Sequence, residues 1–196
     1  FDMDGTLFQT NTILELSLED SFAHLKSKGL WSAGTPLEQY REIMGVPFPK
    51  VWKTFLPEHS GEVRSEVDEF FLKKLIGNIE KGNGLLYPNV LEVLSYLKNN
   101  GYRIYIASNG LPAYLEAIVR FYELDRWVIE TFSIEQISSM DKADLVGEIV
   151  KKYGIESGAV IGDRLSDIQA AKRNNLTSVG CRFDFAQEIE LAQADF

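Results

Sequence analysis

The sequence predicts an α/β fold, a three-layer core around a parallel sheet, with an all-helical block inserted after the first strand. Its opening, Phe1-Asp2-Met3-Asp4-Gly5-Thr6-Leu7, reads as the end of a strand running into a glycine turn. Residues 12–82 show apolar residues at helical spacing and no convincing strand. From about Leu85 short apolar runs alternate with helical stripes, the pattern of parallel strands covered on both faces.

The elements follow in order. Ile13, Leu14, Leu16, Phe22 and Leu25 form a helical stripe that Gly29 stops. Thr35-Pro36-Leu37-Glu38 reads as a capping box with proline at the first helical position, and Gly45 can close that helix. Val63, Val67, Phe70, Phe71 and Leu75 mark a longer amphipathic helix, and Gly77, Gly82 and Gly84 then suggest a linker. Val90, Leu91, Leu94 and Leu97 form a helix ending at Asn100-Gly101. Strands are predicted at 103–107, 128–132, 159–161 and 178–181, with helices at 115–122, 145–153 and 168–173. The domain boundaries read from this pattern are 1–11 plus 83–196 for the core and 12–82 for the helical insertion.

Bulk properties narrow the function. The 196 residues suffice for one core with a modest insertion. A net charge of −9 argues against nucleic acid as a partner for the surface at large. Cys181 is the single cysteine, so no internal disulfide can form, which fits a cytoplasmic, reducing setting. No apolar run approaches the roughly 20 residues that span a membrane, and no signal peptide is visible. Phe1 reads as the end of a strand whose beginning is missing, and Phe196 ends without an obvious stop. Both termini are therefore expected to be cut.

The chemistry sits at the predicted strand ends, where open parallel sheets bind ligands. Asp2 and Asp4, two positions apart, can share one side of a strand end. Two such carboxylates repel unless a cation or a proton intervenes. Ser108-Asn109-Gly110 precedes a helix expected to begin at Pro112, which makes either an anion site or a plain helix cap. Lys142 opens a helix, where the dipole disfavours a cation. An anion such as a phosphoryl group or Asp2 would offset that, and a solvated surface lysine is the alternative. Gly162-Asp163-Arg164-Leu165-Ser166-Asp167 follows an apolar strand; its two aspartates are either metal ligands or caps, with Ser166 the expected N-cap. Four converging carboxylates would require a divalent cation, and oxygen ligands suit magnesium.

Taken together, Asp2-Met3-Asp4-Gly5-Thr6, Ser108, Lys142 and Gly162-Asp163-Arg164-Leu165-Ser166-Asp167 resemble the four motifs of the haloacid dehalogenase superfamily, and the resemblance covers essentially the whole chain. It implies a Rossmann-like core with an inserted class one helical cap. Family dehalogenases lack the second aspartate of the first motif, so Asp4 points to the magnesium-dependent phosphotransferase branch. Thr6 resembles the phosphatases, whereas sugar phosphomutases often carry valine there. Leu85-Leu86-Tyr87-Pro88-Asn89-Val90 resembles the segment leaving the cap in phosphoglycolate-phosphatase-like members. The departure from the pattern is the strand missing before Phe1.

The resemblance implies a phosphatase that hydrolyses a small phosphomonoester through an aspartyl phosphate. Asp2 would be the nucleophile and Asp4 the acid/base. Asp2, Asp4 (through its main-chain carbonyl), Asp163 and Asp167 would serve the metal. Ser108, Asn109, Gly110 and Lys142 would hold phosphate, with Lys142 also counted as catalytic. The rivals are a sugar phosphomutase and a catalytically silent binding module on the same fold. Expected partners are a small phosphorylated metabolite, no nucleic acid and no membrane, in a monomer or weak homodimer. Arg41 is the lead cap contact to substrate, with Lys50, Lys53 and His59 behind it; each is equally readable as a solvated face residue.

Overall fold

The computed structural model describes residues 1–43, 48–183 and 186–196, leaving out the side chains of Phe48 and Pro49. It divides into two compact units, one comprising Phe1–Gln9 with Leu86–Phe196 and the other Thr10–Leu85.

The helical unit holds α1 (Asn11–Ser27), α2 (Leu37–Glu42), α3 (Phe48–Phe55) and α4 (Gly61–Glu80), with α1 and α3 both packed on α4. Ile13, Leu14, Phe22 and Leu25 are buried, but Leu16 is exposed and lies off the stripe. Gly29, at φ +70, ends α1 in the left-handed region where glycine carries no steric cost. The expected capping box at α2 does not form, because Pro36 precedes the first helical residue and no side chain caps it. Gly45 lies outside the described residues. Ser60 caps α4 by accepting from the Val63 N–H, and the helix runs through Gly77 instead of ending there. The unit's interior is aromatic. Trp52 packs against Phe22, Phe55 and Phe71, and its indole N–H donates to Asp68 at 2.7 Å.

The core unit holds α5 (Val90–Asn99), β1 (Ile104–Ser108), α6 (Pro112–Phe121), β2 (Val128–Ser133), α7 (Lys142–Tyr153), β3 (Ala159–Gly162), α8 (Leu165–Arg173), β4 (Thr177–Gly180) and α9 (Glu188–Leu191). β1 pairs with β2 and β3 with β4, both in parallel. Phe1 and Asp2 lie between the pairs and join them. Phe1 N donates to Tyr105 O and Ala107 N to Phe1 O, while Asp2 N donates to Ile161 O, each at 2.9 Å. The strand order is therefore β2, β1, the Phe1–Asp2 segment, β3, β4, so Asp2 emerges from the middle of the sheet. Ala107, Phe132, Val146, Ile149, Val160 and Ala171 belong to the apolar layer that α7 and α8 form with the sheet. On α5 only Val90 and Leu94 are buried, and Leu91 is exposed. The chain leaves and re-enters this unit at one place, where Phe8 bridges Leu86 and the Gln9 amide donates to Leu86 O at 2.7 Å. Among the described residues no helix is long and apolar enough to cross a membrane.

Candidate active site

The central strand delivers Asp2, and the chain turns at once. The N–H groups of Thr6, Leu7 and Phe8 all converge on the Met3 carbonyl, with Gly5 at φ +75. A Cβ on Gly5 would lie 2.5 Å from an Asp163 carboxylate oxygen, and one on Gly162 would lie 2.1 Å from Asp167 Cγ. Both glycines are the condition for the carboxylates to close in. Asp2, Asp163 and Asp167 are all buried, and each offers an oxygen within 4.8 Å of the others.

Lys142, at the first position of α7, reaches into this cluster. Its Nζ lies 2.7 Å from Asp2 Oδ1 and 2.5 Å from Asp167 Oδ1, with 3% of the side chain exposed. The solvated-lysine alternative is thereby removed. Apart from the Lys142 ammonium neither buried oxygen has a hydrogen-bond partner. Lone pairs therefore remain for another cation. When ionised, the three carboxylates beside one ammonium would carry two net negative charges, which one divalent ion would balance. Their oxygens are the ligands a hard cation takes, so the residues fit magnesium.

The electrostatics are strained accordingly. Burial pushes the Asp2 carboxyl up to about 8; Lys142 opposes this, and Asp167 and Asp163 add repulsion. Burial, with Asp167 next, raises Asp163 to about 7. For Lys142 burial favours the neutral amine, but Asp167 and Asp2 outweigh it and hold the ammonium well above its ordinary range. Cys181 beside the cluster is raised to about 11 by burial and then by Asp163 and Asp167, which makes it a poor thiolate.

The remaining expected residues occupy neighbouring strand ends. Ser108 ends β1 and is buried; its hydroxyl accepts from the Gly110 N–H at 3.0 Å, so it shapes the loop and does not cap α6. The Gly110 N–H is thus engaged within the loop, while Asn109 is half-buried. Asp167 is the third residue of α8 and accepts from Arg164 N at 3.1 Å, so Arg164, not Ser166, is the N-cap. Asp4 is half-buried and lies outside the group of three carboxylates. Thr6 donates to Asp163 Oδ1 at 3.2 Å. In the helical unit Arg41 is exposed and ion-paired with Glu15 and Glu38. Lys50 and Lys53 are exposed, and His59 is half-buried with Nε2 at 2.9 Å from Leu30 O.

Two residues here escape a reading of the sequence. Ser133, at the end of β2, donates to Gly110 O at 2.7 Å and braces the loop after β1. Tyr114, on α6, donates to Asp4 Oδ1 at 2.5 Å. The available signal is the general one that a buried tyrosine hydroxyl needs a partner.

Residues 1–175 match the family described as haloacid dehalogenase-like hydrolase. The phosphoglycolate phosphatase of Mannheimia succiniciproducens is 21% identical over 211 residues, covering 99% of this chain and 89% of that protein. The 5′-nucleotidase of Pseudomonas aeruginosa is 23% identical over 201 residues, covering 97% of this chain and 85% of that protein. The solved structure of a predicted phosphoglycolate phosphatase from Haemophilus somnus superposes with a TM-score of 0.84 at 22% identity, over 100% of this chain and 89% of that one.

Proposed function

Because the chain belongs to the haloacid dehalogenase-like hydrolases and is an enzyme acting as a phosphatase, we propose that it hydrolyses a small phosphomonoester through a phosphoryl group carried on Asp2. The observation that carries this reading is the buried cluster of Asp2, Asp163 and Asp167 around Lys142.

Asp2 attacks phosphorus in line with the leaving oxygen. Asp4 gives that oxygen a proton, then takes one from the water that frees Asp2. Ser108 and the main chain of Asn109 serve the remaining phosphoryl oxygens together with Lys142, while Gly110, its N–H taken up by Ser108 Oγ, shapes the loop. Lys142 also works against protonation of Asp2, favouring the ionised state a nucleophile requires. Magnesium, held by Asp2, Asp163, Asp167 and the main-chain carbonyl of Asp4, would neutralise charge on the phosphoryl oxygens when bound. The helical unit serves as the cap that selects the leaving group.

The test is phosphate release from a panel of phosphoglycolate, 5′-nucleotides, sugar phosphates, flavin mononucleotide and pyrophosphate. Turnover is expected for at least one ester, lost on chelation and restored by magnesium. Calcium should restore little, since its larger coordination sphere holds the attack geometry badly. Full activity after chelation would remove the metal. Transfer within a sugar, dependent on a bisphosphate activator and without phosphate release, would make the enzyme a mutase. No turnover of any kind would leave a binding module.

A further inference from the structure

We propose that Tyr114 is a positioning residue for proton transfer, holding Asp4 so that one defined carboxyl oxygen meets the leaving group. The inference rests on the phosphatase reading above and deepens it.

Pro112 starts α6 immediately after the loop of Ser108, which puts Tyr114 in the helix's first turn. The ring is 1% exposed. Phe8 meets it edge-on with centroids 6.5 Å apart. On another side Gly110 leaves the space, because a Cβ there would come within 3.1 Å of Tyr114 Cδ1. A phenylalanine would satisfy all of this packing. The hydroxyl is the part that packing does not require, and burying it costs free energy unless it is bonded. It donates to Asp4 Oδ1 at 2.5 Å, in the range of hydroxyl bonds to a carboxylate.

A carboxyl that shuttles protons has two chemically equivalent oxygens and a free side-chain torsion. Accepting from Tyr114 through Oδ1 restrains the torsion, and the proton is carried on Oδ2. In the first half-reaction the Oδ2 proton passes to the ester oxygen as its bond to phosphorus breaks and the bond from Asp2 forms. In the second half Oδ2 takes a proton from the attacking water as the Asp2–phosphorus bond breaks. The Tyr114 proton stays on Tyr114 throughout. A group held in reacting geometry contributes through orientation, and its loss is felt where proton donation limits the rate.

The experiment compares the wild-type enzyme with Tyr114→Phe on two classes of ester, with magnesium present. One is an alkyl phosphate, whose alkoxide leaves only if protonated. The other is p-nitrophenyl phosphate, whose phenolate leaves with little help. The parameter is kcat/KM, which reports formation of the phosphoenzyme and not its hydrolysis. Tyr114→Phe should lose about tenfold or more on the alkyl ester and about twofold on the aryl ester. In an Asp4→Asn background, adding Tyr114→Phe should cost nothing further on the alkyl ester, because the group it positions can no longer donate. Equal losses on both esters, no loss on either, or additive losses in the double variant would overturn the proposal while leaving the phosphatase reading intact. A wild-type enzyme that hydrolyses neither class would overturn both.

Discussion

The two units differ in whether they bury charge. Among the described residues of the helical unit the buried polar side chains are Thr10, Ser17 and Ser21, and none is charged. Ser17 and Ser21 each donate to a carbonyl one turn back at 2.8 Å, so their burial is satisfied locally. Charges such as Arg41, Lys28 and Lys74 stay at the surface with acidic partners. The core unit instead buries Asp2, Lys142, Asp163 and Asp167 together and leaves carboxylate lone pairs unused. Burying charge is costly unless every group is paired. Among the described residues the helical unit thus buries no charge, and the core carries a local electrostatic strain that a bound cation would relieve.

Asp2→Asn breaks the comparison most sharply. Turnover should fall about 10⁴-fold or more, since an amide is a poor nucleophile. The melting temperature of the chelated protein should hold or rise, because one member of a repelling cluster is gone. A folded variant with substantial turnover would disqualify Asp2 as nucleophile. Trp52→Ala is the counterpart in the helical unit. It removes a fully buried indole and its bond to Asp68, and should cost about 3–5 kcal/mol in urea unfolding followed by helix signal. A loss below about 1 kcal/mol would show that this aromatic interior is not well packed.

A third measurement sharpens the contrast through pH. Without metal, Asp2 at about 8 and Asp163 at about 7 both lie above the ordinary carboxylate value of 3.8. The folded chain then binds protons more tightly than the unfolded one. The contribution from this cluster is fully present below about pH 4 and is lost as pH rises through these folded values. Melting temperature in chelator should therefore fall over that interval, and saturating magnesium should flatten the slope. A profile unaffected by magnesium would break the link between the cluster and the cation. The smallest effect is expected for Arg41→Ala. Exposed ion pairs contribute little to stability, so melting should barely move. KM for the preferred substrate should rise about threefold if the guanidinium contacts it. Equal changes on p-nitrophenyl phosphate would assign Arg41 to folding or closure of the cap.

The alternation of strand and helix after Leu85 is legible in the sequence because each element has its own apolar period. The motifs at Asp2, Ser108 and Asp163 are legible for a related reason, since each lies at or just past a strand end, whereas Lys142 opens a helix well beyond β2. Lys142 shows how far such reasoning goes. Its awkward place at a helix start calls for an anion, and the structure supplies Asp2 and also Asp167. Relations between distant residues leave no such trace. The Tyr114–Asp4 bond spans 110 positions. The need for Gly5 and Gly162 arises from carboxylates brought in by other segments. Helix α3 escapes because it is 8 residues long and carries Pro49 near its start. Leu16 and Leu91 mislead because apolar residues do occur on exposed faces.

The placement of Phe1–Asp2 between β1 and β3 has a consequence for how the chain folds. Pairing β1 with β2, or β3 with β4, closes short loops, whereas Phe1 must find Tyr105 across 104 residues. Contacts of such separation carry the larger loop-closure entropy and slow the search. The seam that unites the two halves of the sheet is therefore its most non-local part, and the carboxylate of Asp2 enters the interior with it. Amide exchange at Asp2 would report this closure directly, since its N–H is fixed on Ile161 O.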